Sequence, residues 1–298
     1  MPEAVGISDA DSLGHALRSL PRLDPDTERE LALRPAQADA SGSQPQAAPD
    51  HDLVSIIILA HNQLEHTQRC LQSIREHTPT PHEILLVDNA STDGSAEWFA
   101  RCAAEAPNVR VIHNATNRGF AAGNNQALAL AAGTHVLLLN NDTVVTPGWL
   151  ERMLAVFKAH PRTGLVGPRS NRVAGPQLVE HPGYQNLEEL PAFATLWGRK
   201  HTGQSRPIGR LIGFCLLARR EVVQALGGLD ERFGSGNFED DDYCIRARFA
   251  GFEARIADDA FVHHIGGQTF RGANIDYRRS MLTNWALFKA KWGLPQAD

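Results

Sequence analysis

Val54-Ser-Ile-Ile-Ile-Leu-Ala-His-Asn62 is the stretch that decides the fold. It opens with a short β-branched apolar run, the signature of a strand buried on both faces, and it ends in polar residues. The same grammar repeats downstream. Glu83-Ile-Leu-Leu-Val87 runs into Asp88-Asn-Ala-Ser-Thr-Asp93, and Val109-Arg-Val-Ile112 runs toward Asn114, Asn117, Arg118 and Gly119. His135-Val-Leu-Leu-Leu139 runs into Asn140-Asn-Asp-Thr143. Helical spacing fills the gaps, from about Glu65 to His77, Ser95 to Ala106, Phe120 to Ala132 and Gly148 to His160, and Leu165-Val166 begins a further strand. Strands alternating with helices of roughly 10–13 residues predict a mostly parallel α/β sheet with right-handed crossovers.

Beyond Pro168 the rhythm loosens. Residues 170–207 are rich in Gly, Pro, Asn and His, with one helix expected from Leu187 to Trp197. A strand (Leu211 to Leu217), a short helix (Arg220 to Leu226), an acidic-capped helix (Glu239 to Ala250) and a strand pair around Ala254 to His264 follow. A last helix spans about Asp276 to Trp292; it could pack on the domain, pair with a second copy as a homodimer or touch lipid, and packing is the expected outcome. Upstream, residues 1–50 hold no Phe, Trp or Tyr. Short helices are expected at Ser12–Leu20 and Pro25–Leu33, and the stretch from Arg34 to Asp50 has the composition of a flexible linker. The expected division is therefore an acidic N-terminal extension over residues 1–50 and a folded domain over 51–298. Within that domain a regular α/β half covers about 51–168, a looser half about 169–273 and the C-terminal helix about 274–292.

The charge follows that division. The 298 residues carry a formal net charge of −5, and nine acidic against four basic residues place all of it in the first fifty. A pI near 6.2 gives no electrostatic footprint for nucleic acid. No apolar stretch approaches the ~18–20 residues of a membrane span, and the N-terminus lacks the pattern of a signal peptide. Cys70, Cys102, Cys215 and Cys244 form no CxxC pair, so neither a zinc site nor a disulfide framework is expected. The expectation is a reduced, cytoplasmic protein.

In open parallel sheets, ligands bind outside the carboxyl ends of the strands, and here four strand ends are polar. Asp142, directly after a buried strand, suits Mg²⁺ or Mn²⁺ held with ligand phosphates, or it caps a turn before Pro147. Asp88 could accept hydrogen bonds from a base or ribose, whereas Asp93 reads as a helix cap. Glu239-Asp-Asp-Asp242 suits an acidic first helical turn, yet four successive carboxylates exceed what capping needs, and one with a raised pKa could act as a general base. His263 and His264 point to opposite faces of a strand, so at most one would face the site. The GxGxxG spacing is absent, which disfavours a nicotinamide-binding protein.

Taken in order, VSIIILAHN at 54–62, EILLVDNASTDGS at 83–95, NRGFAAGNN at 117–125 and LLLNNDTVVTPGWL at 137–150 resemble the inverting glycosyltransferases of family 2, which have the GT-A fold. GFCLLARREVVQALGGLDERF at 213–233, NFEDDDYCIRARFAGF at 237–252 and HHIGGQTF at 263–270 extend the match. Each piece alone is weak; seven in the right order are specific. The resemblance implies that residues 51–298 are a glycosyltransferase domain, with a Rossmann-like, nucleotide-binding half at about 51–168 and a smaller acceptor-side, catalytic half at about 169–273. It implies that Leu59, His61, Asp88 and Asn89 hold base and ribose, that Arg118 and Gly119 approach the nucleotide, and that Asn141 and Asp142 form the metal motif with Asp142 meeting the cation. Glu239 and Asp240 match the acidic pair whose Asp is the base, and His264 matches a His near diphosphate or metal. Three positions depart from the family. His61 stands for the usual stacking aromatic, Asn89 for a second Asp linked to uracil preference, and Asn140-Asn141-Asp142 keeps one carboxylate, so phosphates, His264 and water would complete the metal shell. The last two variations occur among members that transfer rhamnose and related sugars.

The implied reaction moves a sugar from a nucleotide-diphosphate donor to an acceptor hydroxyl on a glycan, a lipid-linked oligosaccharide or a protein, with contact at the inner membrane face through a partner. A sugar-phosphate nucleotidyltransferase is the nearest alternative, but it would want a Gly-rich basic loop where this chain has residues 61–66. A catalytically silent nucleotide-sugar binding module with the same fold is the other.

Overall fold

A computed structural model describes residues 53–266 and 277–294. The helices expected before Leu33, the linker and the Gly267–Phe270 end of the last motif lie outside the described residues. Its elements are β1 Val54–Ala60, α1 Leu64–His77, β2 His82–Asp88, α2 Ser95–Glu105, β3 Val109–His113, α3 Phe120–Leu130, β4 His135–Leu139 and β5 Thr143–Val145. Then come α4 Trp149–Ala159, β6 Thr163–Arg169, α5 Leu190–Lys200, β7 Ser205–Ile208, β8 Cys215–Arg219, α6 Arg220–Leu226, α7 Glu239–Phe249, β9 Glu253–His264 and α8 Tyr277–Trp292.

The strands form one sheet in the order β3-β2-β1-β4-β8-β6-β9-β5, with β7 also on β9. β1 pairs in parallel with β2 and β4, and β2 with β3. β8 runs antiparallel between β4 and β6. All seven residues of β1 are buried, because both faces of the sheet are covered. Ile56 and Ile58 join a core with α1, α2 and α4, while Ile57 and Leu59 join a second core with α3, α6 and α7. Helical spacing on each helix supplies the inward stripe: Cys70, Leu71 and Ile74 on α1, and Trp149, Met153, Val156 and Phe157 on α4.

Four differences from the sequence reading have physical causes. The strand expected from Leu211 begins only at Cys215. The N–H groups of Leu211, Ile212 and Gly213 donate to the side chains of Cys244, Gln177 and Asp240 instead of joining a ladder. The strand pair expected around Ala254–His264 is a single twelve-residue strand, β9. Its register against β6 shifts after Pro168, so its first part pairs β6 and β7 and its last three residues pair β5. The short strands β5 and β7 had no apolar run long enough to announce them. α5 starts at Leu190, three residues later than expected, because Asn186 Oδ1 accepts the N–H groups of Glu188 and Glu189 and forms the turn before it.

Asp93 caps two helices. Its Oδ1 accepts from the Ser95 N–H and hydroxyl at the start of α2, and its Oδ2 accepts from the Leu64 N–H at the start of α1. Burial raises its pKa, but these hydrogen bonds outweigh it and hold the carboxyl below its ordinary value of 3.8. Asp93→Ala is expected to lower the unfolding free energy at pH 7 by about 1–2 kcal/mol, nearer the lower figure because the carboxylate is solvent-exposed. A depressed carboxyl stabilises above its unfolded pKa and loses that contribution as pH falls through the folded value. The gap between wild type and variant in urea unfolding should therefore close below pH 3.8.

Candidate active site

The carboxyl edge of the parallel strands carries three groups of residues. The first surrounds Asn89, which is buried. Its Nδ2 donates to Asn117 Oδ1 and the Gly119 carbonyl, and its Oδ1 accepts from the Arg118 N–H and Asn114 Nδ2. Asn89 thus shapes the Asn117–Gly119 loop, and the amide contributes here by orienting Arg118, whose side chain is exposed. A second Asp could not have donated from that position. Asp88 is buried, with Oδ1 on the Ser91 N–H and Oδ2 3.4 Å from His113 Nδ1. His61 Nδ1 lies 2.8 Å from the Asn89 carbonyl. Leu59 packs under α3, where a Cβ on Gly123 would come within 2.6 Å of it. Gly119 has φ +82°, and a Cβ there would meet the Gly234 carbonyl oxygen at 2.5 Å, so that loop presses directly on the turn before α7.

The second group is Asp142 with His264. Both are held by β5 pairing with the end of β9. His264 Nε2 lies 3.2 Å from Asp142 Oδ1. On the other side of the ring, Nδ1 lies 2.8 Å from the Arg172 carbonyl. A carbonyl only accepts, so Nδ1 carries a proton, and Nε2 is the ring atom turned toward the carboxylate. An imidazole nitrogen and a carboxylate oxygen are both ligand types that a divalent cation accepts. Adjacent ligands of an octahedral Mg²⁺ or Mn²⁺ at ~2.1 Å sit about 3 Å apart, so the pair fits two corners of such a shell. No cluster of three or more His, Cys, Asp or Glu suited to a metal occurs among the described residues, which leaves the other corners to ligand oxygens and water. Asn141 does not join this pair: its Nδ2 donates to Thr67 on α1. His263 faces away, as strand alternation predicts. Burial lowers its pKa to about 4, and Tyr184 Oη lies 2.6 Å from its Nδ1.

The third group is the start of α7. Here the four carboxylates separate. Asp242 is fully buried between Arg246, Lys291 and the Trp292 indole N–H. Asp241 is buried against Arg210, 2.6 Å away. Glu239 is buried, and among the described residues its Oε2 has no hydrogen-bond partner. Burial first, and Asp240 beside it, push its carboxyl well above the usual range. Asp240 remains partly exposed, with Oδ2 on the Gly213 N–H at 2.7 Å and Oδ1 on the Asp241 N–H at 2.8 Å.

The second and third groups meet through adjacent residues. The Phe214 ring stacks on His264 with centroids 5.0 Å apart, and the Gly213 N–H fixes Asp240. Sequence reasoning missed this function of Gly213-Phe214, along with Gln177 and Arg210. Gly213-Phe214 sat inside a recognised motif, but Gln177 carried no signal.

Burial and Asp240 raise the Asp241 pKa from 3.8 to about 7 against the opposing pull of Arg210. Between those values the folded state binds more protons than the unfolded one, so this group lowers stability as pH rises through the window. Urea unfolding should show Asp241→Asn gaining on wild type from 3.8 up to about 7 and holding a constant difference above it.

A profile described as Glycosyl transferase family 2 matches residues 55–227. An uncharacterized protein of Sinorhizobium fredii is 31% identical over 211 residues, which are 67% of this chain and 23% of that protein. The chain therefore spans about a quarter of that relative. The N-acetylglucosaminyl-diphospho-decaprenol L-rhamnosyltransferase of Mycobacterium tuberculosis is 27% identical over 248 residues, 74% of this chain and 78% of the relative. Among solved structures, a mannosyltransferase from Pyrobaculum calidifontis in complex with GDP-Man and Mn²⁺ superposes with a TM-score of 0.54 at 21% identity, over 86% of this chain and 67% of that one. GalNAc-T7 with UDP, GalNAc and Mn²⁺ gives 0.56 at 14% identity, over 82% and 55%.

Proposed function

This chain belongs to glycosyl transferase family 2 and is a glycosyltransferase of the GT-A fold, and from that premise we propose that it works by inversion, with Asp240 as the general base. The donor is a nucleotide-diphosphate sugar held by Leu59, His61, Asp88 and the Arg118–Gly119 loop that Asn89 shapes. The observation that carries the reading is the continuity of Gly213-Phe214, which ties the Asp142–His264 pair to Asp240. A site that must hold a diphosphate and an acceptor hydroxyl at one distance needs such a tie.

The two N–H groups on Asp240 fix its orientation, and a carboxylate oxygen keeps a further lone pair for the acceptor. Asp240 takes the acceptor hydroxyl proton as that oxygen bonds to the anomeric carbon. The carbon–oxygen bond to the diphosphate breaks, its electron pair leaves with the diphosphate, and attack from the opposite face inverts the anomeric configuration. Asp142 and His264 would hold a divalent cation, which when bound supplies positive charge for the departing diphosphate. Burial and Asp240 push the Glu239 carboxyl well above the usual range, which lowers the negative charge that an anionic donor meets.

The tuberculosis relative's name specifies rhamnose as the sugar and a lipid diphosphate as the acceptor. A deoxyhexose donor and a lipid-linked acceptor are the first classes to test. No described helix is long and apolar enough to cross a membrane, so such an acceptor would be met at a membrane surface.

The test incubates the protein with a panel of nucleotide sugars, Mn²⁺ and lipid-linked acceptors, and follows nucleotide diphosphate release. Release should stop on chelation and return with Mn²⁺. Asp240→Asn keeps the contact to Gly213 but loses basicity, and should lower kcat by about 10²–10⁴-fold. An unchanged kcat would remove Asp240 as the base. Donor binding without release would favour a silent module, and nucleotide sugar formed from triphosphate would favour a nucleotidyltransferase.

A further inference from the structure

The C-terminal helix α8 lies beyond the residues matched by the family profile, which end at 227. We infer that α8 is a clamp that sets the position of Asp240, with Asn284 as its chief positioning residue; the inference rests on Asp240 being the base.

The approach to α7 is strained. Gly236, Asn237 and Phe238 have φ of 121°, 78° and 74°, three successive residues in the left-handed region. Two of them are not glycine, and such a conformation persists only where the surroundings over-determine it. α8 provides those surroundings. The buried Asn284 Nδ2 donates to the carbonyls of Phe233 and Gly236 at 2.7 Å and lies 3.3 Å from that of Asn237. One turn of chain is thereby gathered around a single amide nitrogen. Trp285 stacks on Phe238 with centroids 5.3 Å apart.

The same helix grips the other side of the acidic pair. Lys291 Nζ lies 2.5 Å from Asp242 Oδ1 and 2.7 Å from Asp230 Oδ2, and the Trp292 indole N–H donates to Asp242. Glu239 and Asp240 lie between Phe238 and Asp242, so the segment holding them is fastened to α8 upstream and downstream. Simple packing of an amphipathic helix would need the apolar contacts of Phe288 and Trp292. It would not need a buried amide pointed at three carbonyls of a strained turn. Removing that donor frees the turn to relax, and Asp240 should then leave the Gly213 N–H.

The test compares Asn284→Ala with Met153→Ala, a cavity variant in the core under α4 that touches neither α7 nor α8. Both are assayed where circular dichroism shows them fully folded; if Asn284→Ala does not fold, Asn284→Ser takes its place. Asn284→Ala should lower kcat by about 10–100-fold. Met153→Ala should keep the wild-type kcat, and Asn284→Gln, which restores an amide donor, should recover part of the loss. Site-resolved amide exchange gives a readout independent of turnover: Gly213 should lose protection in Asn284→Ala and keep it in Met153→Ala. Unchanged Gly213 protection, or an equal fall in kcat in Met153→Ala, overturns the clamp. If wild type transfers no sugar from any donor, the function proposed above fails, and the Gly213 amide still decides whether α8 holds Asp240.

Discussion

Four successive carboxylates on one helical turn repel one another, and much of the molecule beyond β8 is organised around relieving that repulsion. Each is relieved differently. Asp242 is paired with Arg246 and Lys291 in the interior, Asp241 faces Arg210, which only partly offsets its burial, burial and Asp240 push the Glu239 carboxyl well above the usual range, and Asp240 accepts from two backbone N–H groups. The helix N-terminus adds its partial positive charge to all four. A buried pair needs near-ideal geometry to offset its desolvation; Arg246 is fixed by the Leu226 and Gly228 carbonyls as well as Asp242, and Lys291 is shared between Asp230 and Asp242. The differences in solvation also sort the cluster by chemistry. Of the four, only Asp240 is partly exposed.

The segment 210–213 shows how that constraint reaches the sheet. Three of its N–H groups would ordinarily extend β8 by three residues. They go instead to Cys244 Sγ, Gln177 Oε1 and Asp240 Oδ2. Losing ladder hydrogen bonds costs little here, because each N–H is still satisfied, and the exchange couples α7, the 170–178 strap and β8 through one short stretch. Phe214 then carries the coupling to His264 by stacking. Ser170, Asn171 and Arg172 close the circuit from the other side: Asn171 exchanges hydrogen bonds with the backbone of His264, and Arg172 with both His264 and Ile265.

Much of this was legible in the sequence where the signal is local. The apolar runs of β1, β2 and β4 and the inward stripes of the helices depend on residues within one element, and period-2 alternation alone separates His264 from His263. The division of labour within Glu239–Asp242 was not legible. Side chains that differ only by one position are told apart by partners about 30 to 50 residues away, Arg210 for one and Lys291 with Trp292 for another. Asp93 shows the same limit in milder form. Its cap on α2 follows from spacing, but its cap on α1 requires the β1 and β2 loops to lie side by side. Asn89 read as a residue holding base and ribose, and its four hydrogen bonds, invisible in the sequence, also organise the loop beside it.

Backbone strain is the least legible feature and the one most tightly bound to the site. Among the described residues, the non-glycine positions with positive φ are Asn62, Gln63, Ala90, Asn237 and Phe238. All five follow the carboxyl ends of β1 and β2 or precede α7; none lies in the rest of the scaffold. Asn tolerates the left-handed region, but Ala90 and Phe238 carry no such signal in their side chains. Each such residue costs on the order of 1–3 kcal/mol, so the three loops that meet at the cleft are held at the expense of stability. The rigid, doubly covered sheet behind them supplies it. Strain of this kind would be relieved by any slackening of the contacts around it, so the neighbours of these turns, Ser91 on Asn62 and Asn284 on Asn237, are part of the site's geometry although none of them faces a ligand.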